Sequence, residues 1–329
     1  MSAIKEGLLL SVADASRGNQ RQAEALAEAL AKRLHMAWSH YTVRPVAPWR
    51  WLAPRWLWGS ASGFDPGLSE RLDRLRPLLV VGCGRQAALA TRIAKHRIGA
   101  LTVQILDPRL RSDDWDLRVQ PCHDPQRDQR TLITRGSLHP VNADWLQVQR
   151  DERPAWGECP APRQLVVLGG PSRQCRFAAA EARDWVKQVA AQPAGTRWVI
   201  GSRRSPAWLR QEFATLPAAL HWWDEADGEN PYAAALAWAD QIFLSPDSVN
   251  MLSEAAATSA QLQVFQAPRM GRRLAAFHQL LRASGRLSGD LAGDASAGWV
   301  VEPWRDLDEV VQQVIERLFA DRPVLQPPK

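Results

Sequence analysis

The chain has 329 residues, of which 46% are hydrophobic and 23% charged, with a formal net charge of +6. That length fits two domains of ordinary size, and the lack of an apolar run of roughly 18 residues excludes a membrane-spanning helix. Four cysteines without a CxxC pair exclude a disulfide scaffold, and arginines scattered along the chain rather than gathered in a tail leave nucleic acid outside the expected partners.

In chain order, strand-like apolar runs fall at 8–12, 78–82, 101–106, 117–120 and 132–134, then at 165–168, 198–200, 219–222, 241–244 and 262–265. Helical stretches alternate with them, beginning with 20–34, which predicts α/β units around parallel sheets. The polar, Pro-rich passage 150–163 has neither period and reads as a linker. The expected organisation is a first Rossmann-like domain over 1–155 and a second over 156–329, facing a central cleft. An amphipathic helix over 307–319 closes the chain and is expected to pack back on the first domain. The N-terminal segment has neither a secretory nor a transit pattern, so cytoplasmic residence is the default expectation.

Ligands of such sheets bind beyond the carboxyl ends of the strands. The first strand leads into Asp14, Gly18 and Asn19, and no GxGxxG or Walker sequence follows. In the second half, Gly169 and Gly170 follow one strand, and Ser202, Arg203 and Arg204 follow the next. Two guanidiniums with hydroxyls beside them suit a diphosphate. The stretch 230–255 reads as helix, strand and helix, with Asn230 and Tyr232 opening the first helix. Ser245 is expected to cap the second, followed by Pro246, Asp247 and Ser248. That helix start suits a phosphate, and Glu254 on the helix suits a ribose diol. His123 beside Asp124 is a candidate general base, with a structural His-Asp pair as the equal alternative. The histidines show no HxH or HExxH spacing, so no metal is expected.

Residues 44–58 hold four of the sixteen tryptophans and three arginines without an acid. The group Arg44, Trp49, Trp51, Arg55, Trp56 and Trp58 suits peripheral contact with a membrane, or equally indoles packed on the domain surface. Prolines at 45, 48 and 54 prevent one continuous helix.

Gly18-Asn19 with Gln22, Gly84-Arg85, the run 104–109, His123-Asp124, 169–171, 202–206, 230–232 and 247–255 together resemble the bacterial relatives of the plant elongated-mitochondria fission factor. The resemblance spans nearly the whole chain. It implies a GT-B-like glycosyltransferase, with links in some members to lipopolysaccharide core assembly; the plant branch is described as recruiting a dynamin-like protein to mitochondria. It also implies a nucleotide-sugar donor on the second half near Gly169, Gly170, Ser202, Arg203, Arg204, Tyr232, Asp247, Ser248 and Glu254. The acceptor would approach Gly18, Asn19 and the His123-Asp124 loop, with His123 or Asp14 as base. The leading expectation is metal-independent sugar transfer from a nucleoside diphosphate to a lipid-linked or lipopolysaccharide-type acceptor at the cytoplasmic membrane face, without a cofactor. The alternatives are a non-catalytic adaptor and a nucleotide-sugar 2-epimerase.

Overall fold

The structure is a computed structural model that describes residues 7–64, 67–110, 113–122, 124, 128–287 and 302–320. Its strands in chain order are β1 (Leu8–Ala13), β2 (Ala37–Thr42), β3 (Leu79–Cys83), β4 (Leu101–Ile105), β5 (Leu117–Pro121), β6 (Thr131–Thr134), β7 (Arg163–Val167), β8 (Cys175–Arg176), β9 (Thr196–Ile200), β10 (Leu220–Trp222), β11 (Gln241–Leu244), β12 (Gln261–Val264) and β13 (Arg269–Met270). The helices are α1 (Arg17–Leu34), α2 (Trp49–Leu52), α3 (Leu68–Leu75), α4 (Arg85–Ile98), α5 (Ala143–Glu152), α6 (Ala179–Ala190), α7 (Ala207–Ala214), α8 (Tyr232–Trp238), α9 (Val249–Ala256), α10 (Arg272–Ala283) and α11 (Asp306–Phe319).

Two compact units result: Met1–Pro140 with Asp306–Lys329, and Val141–Arg305. The first holds a parallel sheet of order β2-β1-β3-β4-β5-β6. The second holds a parallel sheet of order β10-β9-β7-β11-β12, with β8 and β13 forming a small antiparallel pair. Both are α/β sheets with both faces covered, which explains why their strands read as apolar runs rather than alternating ones. In β7, Leu165 and Val167 face one cluster, and Val166, like Leu168 just beyond the strand, faces the other. Each fully buried Leu, Ile or Phe side chain contributes about 1.5–3 kcal/mol.

The division falls after Pro140, one helix earlier than the expected boundary at 155/156. The cause lies in residues 141–163. Leu146 of α5 is buried in the core of the second unit, and Trp156, in the 3-10 turn Pro154–Glu158, packs on Trp198 at 4.5 Å between ring centroids. The polar passage therefore lies against the second unit and does not bridge two bodies. Helix α11 lies on the first unit, with Val310, Val311 and Val314 in one cluster with Leu26 and Leu30 of α1. Asp306 anchors its start by accepting the Arg135 and Gly136 backbone N–H groups, each at 2.8 Å, and the Arg135 Nε at 2.7 Å.

Strand order reverses direction at one place in each sheet. In the first unit the reversal lies between β1 and β3, and in the second between β7 and β11, where the crossovers leave on opposite faces. A crevice opens at such a point beyond the carboxyl ends of the strands.

Candidate functional site

The second unit's reversal brings three strand-end loops together. The Ser245 backbone N–H donates to the Val167 carbonyl at 3.0 Å, extending the β7–β11 pairing by one step. Ser245 Oγ then accepts the Gly169 N–H at 2.7 Å and donates to Asp247 Oδ1 at 2.6 Å. Asp247 Oδ2 accepts the Gly170 N–H at 3.2 Å and an Arg204 guanidinium nitrogen at 2.8 Å. The Asp247 side chain has no exposed surface, whereas that of Arg204 is 49% exposed. One carboxylate thus ties the loops after β7, β9 and β11 to one another, and charge-assisted bonds of this kind are about twice as strong as neutral ones.

Ser205 completes the tie. Its Oγ lies 2.7 Å from the Gly169 carbonyl and 3.0 Å from the Leu168 carbonyl, and accepts the Ser202 N–H at 2.9 Å. The glycines are needed because the loops approach so closely. A Cβ at Gly169 would sit 2.3 Å from Asp247 Oδ2, and one at Gly170 would sit 2.0 Å from the Arg204 carbonyl oxygen. The space these glycines leave is filled by the chain itself.

This geometry corrects the expected helix cap. Helix α9 begins at Val249, and its N-cap is Ser248, whose Oγ accepts the Met251 N–H at 3.5 Å. Ser245 cannot cap it because Asp247 is drawn back to Gly170, Ser245 and Arg204, which turns the chain before the helix starts. The Pro246 carbonyl faces His278 Nε2 at 3.0 Å, and the imidazole must donate there as the Nε2–H tautomer. Burial holds His278 below its ordinary value, with Arg282 acting in the same sense and the Pro246 contact and Asp247 opposing. Burial, with the Asp247 charge, pushes the nearby Cys175 thiol up to about 12, so it stays protonated.

Asn230 accepts the Tyr232 N–H at 2.9 Å and so turns the chain into α8. The Tyr232 hydroxyl donates to Glu254 Oε2 at 2.7 Å, and Glu254 is 4% exposed. Arg203 and Ser202 differ in display: Arg203 is exposed and Ser202 half-buried. Of the residues singled out on this half, the structure therefore gathers Gly169, Gly170, Ser202, Arg204, Ser245 and Asp247 into one network, and joins Tyr232 to Glu254.

In the first unit, Asp14 follows β1 and Gly84 follows β3, at the other reversal. Asp14 Oδ1 accepts the Ser16 N–H at 3.0 Å and the Asn19 Nδ2 at 3.1 Å. Gly84 has φ 88°, and a Cβ there would lie 2.5 Å from Asn19 Nδ2. Helix α1 begins at Arg17, so Gly18 and Asn19 occupy its first turn rather than a loop. Asp124 is buried after β5 and donates its N–H to the Pro121 carbonyl at 2.9 Å. Strands β3 and β4 lie between β5 and β1, so the sheet does not bring Asp124 beside Asp14. His123 lies outside the described residues. Among the described residues no group of three or more His, Cys, Asp or Glu side chains could hold a metal ion. A separate groove of about 410 Å³, lined by Arg150, Arg163, Trp238 and Asp240, sits at the amino ends of β7 and β11, away from these loops.

Sequence reasoning reads Ser205 as a hydroxyl of the diphosphate motif, whereas its Oγ is spent on the Leu168 and Gly169 carbonyls. It missed His278, which has no local signal because it acts on a loop distant in the chain. The profile of the mitochondrial fission ELM1 family matches residues 17–318. The chain belongs to the mitochondrial fission ELM1 family. Mitochondrial fission protein ELM1 of Arabidopsis thaliana is 27% identical over 284 residues, a match that covers 74% of this chain and 64% of that protein. Among solved structures, this ELM1-family chain is similar to a Listeria monocytogenes protein assigned as a UDP-N-acetylglucosamine 2-epimerase, at a TM-score of 0.60 and 10% identity, covering 98% and 100% of the two chains. It is also similar to a glycosyltransferase from Rickettsia africae, at a TM-score of 0.53 and 12% identity, covering 96% and 99%. The fold is therefore GT-B-like, shared by glycosyltransferases and nucleotide-sugar epimerases.

Proposed function

We propose that this chain is a metal-independent glycosyltransferase that holds a nucleoside diphosphate sugar on its second unit. The observation that carries the reading is the Asp247 tie, which fixes three strand-end loops at the reversal of that sheet before any ligand arrives. Similarity of fold to a UDP-N-acetylglucosamine epimerase and to a glycosyltransferase supports a nucleotide sugar as the ligand. In this reading Arg203, the exposed edge of Arg204, Ser202 and the first turn of α9 behind Ser248 receive the diphosphate. Gly169 and Gly170 let the loops carrying Arg204 and Asp247 close against them, and Glu254, oriented by Tyr232, takes the ribose hydroxyls. Asn230 sets the start of α8 that presents Tyr232.

The acceptor is a lipid-linked or lipopolysaccharide-type hydroxyl at a membrane face. Its oxygen bonds to the anomeric carbon as the bond from that carbon to the diphosphate oxygen breaks. The electron pair leaves with the diphosphate, and the proton passes to a base on the first unit, either Asp14 beside Gly18 and Asn19 or the His123-Asp124 loop after β5.

An epimerase would use the same donor cradle. It also needs acid-base groups at the sugar ring, and the two buried carboxylates of this site are engaged, Asp247 with Arg204 and Glu254 with Tyr232. That favours transfer. Thermal-shift measurements with UDP, GDP, ADP and CMP and their sugars test the reading, since saturating ligand at about 100 times Kd stabilises by about 2.7 kcal/mol. One nucleotide is expected to raise Tm, and Glu254→Ala to abolish the rise. If no nucleotide shifts Tm and Glu254→Ala leaves cellular function intact, the chain acts instead as a non-catalytic adaptor. Release of free nucleoside diphosphate only when acceptor is added separates transfer from epimerisation.

A further inference from the structure

The loop between β2 and α3 displays apolar side chains that the fold does not use. Of the four indoles in 44–58, two are absorbed. Trp49 lies half-buried over Gly63, where an added Cβ would meet its ring at 2.2 Å. Trp56 packs on His96 of α4, with ring centroids 4.6 Å apart. The other two face solvent: Trp51 is 67% exposed and Trp58 98% exposed, flanked by Val46 at 44% and Leu57 at 45%.

This display is built rather than frayed. The ends of the loop are closed by the Val46 N–H donating to the Gly63 carbonyl at 2.9 Å. Arg85, at the start of α4, donates to the carbonyls of Arg50, Trp51 and Ala53 at 3.2, 3.1 and 3.0 Å. Arg92, further along α4, donates to the Pro54 carbonyl at 2.7 Å. Ser60 is buried and its hydroxyl ties both the N–H and the carbonyl of Leu57, at 2.8 and 2.7 Å. Two arginines and a serine thus hold the backbone while the largest apolar side chains point away from the core.

Charge indicates the occupant. Arg44, Arg50 and Arg55 are exposed, and residues 44–58 contain no acid. Exposed indoles interleaved along the chain with exposed guanidiniums, in a segment without an acid, match the headgroup region of an anionic bilayer, where Trp sits at the interface and each arginine contributes about 1 kcal/mol. We infer that the segment 44–58, through the exposed Trp51, Leu57 and Trp58 and the exposed Arg44, Arg50 and Arg55, docks this protein on an anionic phospholipid membrane. The inference deepens the reading of a lipid-borne acceptor but is measured without any nucleotide, so loss of vesicle binding and loss of a nucleotide-induced Tm shift report separate failures.

The test uses the full chain sedimented with vesicles of phosphatidylglycerol and phosphatidylcholine in about equal parts, and with phosphatidylcholine alone. Preferential binding to the anionic vesicles, weakened by salt, is expected. Trp58→Glu should lower the bound-to-free ratio by at least about tenfold with Tm unchanged, Trp58→Tyr should retain most of the binding, and Arg50→Gln or Arg55→Gln should each cost about fivefold. Absence of wild-type binding, equal binding to neutral vesicles, or a Trp58→Glu protein of unchanged Tm that binds as the wild type does would each overturn the inference.

Discussion

The two sheet reversals present the same topology held by different chemistry. At β7/β11, a carboxylate with no exposed side-chain surface joins three loops that are far apart in the chain. At β1/β3, Asp14 is half-buried and, among the described residues, accepts hydrogen bonds from Ser16 and Asn19, within five residues of it. The lesson is that one unit fixes its strand-end loops in advance, which favours a ligand of constant shape such as a nucleotide. The other joins its loop ends through neutral groups, with the Cys83 thiol 3.7 Å from Asn19 Oδ1 and Gln104 Nε2 donating to the Gly84 carbonyl at 3.2 Å, and leaves its carboxylate, Asp14, half-buried.

The strongest way to break this comparison is to remove each aspartate. Asp247→Ala strands the Gly170 N–H and the Ser245 hydroxyl in a buried place and should cost about 2–4 kcal/mol in denaturant unfolding. Asp14→Ala should cost about 1 kcal/mol. Equal losses in the two variants would erase the distinction between the units.

Glycine substitutions give the next largest contrast. Gly170→Ala drives a Cβ to 2.0 Å from the Arg204 carbonyl oxygen, a backbone atom that cannot swing aside. A loss of about 2–3 kcal/mol is expected, together with a weaker nucleotide-induced Tm shift. Gly84→Ala meets the Asn19 amide, a side-chain group, at 2.5 Å and must hold φ 88°, for about 1–2 kcal/mol. Chemical denaturation with a ligand titration on each variant reads both quantities.

The smallest effect sharpens the picture by pH. Burial, with help from Arg282, lowers the folded value of His278 against the opposing Pro246 carbonyl and Asp247. As pH falls through its ordinary 6.5, the unfolded chain takes up the proton first, so stability is full above that value and is lost progressively below it. His40, also lowered chiefly by burial, adds in the same direction. His278→Gln should flatten only part of the stability loss between about pH 7 and 5, leaving the His40 share; an unchanged pH profile would remove His278 from the account of the Pro246 loop.

The sheets were legible because parallel strands buried on both faces leave unbroken apolar runs, as in Val166 to Leu168 and Ile242 to Leu244. β2 left no such run: Ser39 and His40 interrupt it, and most of its residues are only half-buried at the sheet edge. The passage 150–163 looked like a linker because its polar surface hides one indole, Trp156, that commits it to the second unit. At the candidate site, glycines, hydroxyls and arginines announced strand-end loops, and the family resemblance implied a nucleotide sugar on them. The partners of Asp247 were not legible, since Gly170 and Arg204 lie at sequence distances that only the strand order brings together. For the same reason the cap moved from Ser245 to Ser248.

Because α11 belongs to the first unit while following the second, the second unit is in effect an insertion within the first. During synthesis the strands β1 to β6 emerge with one face of their core still waiting for Val310, Val311 and Val314. The inserted unit can finish folding before its host does, since the Asp306 bonds to Arg135 and Gly136 can form only once α11 has been made. A fragment ending at Pro140 would expose that apolar face, whereas the same fragment joined to residues 306–320 would carry its own cover.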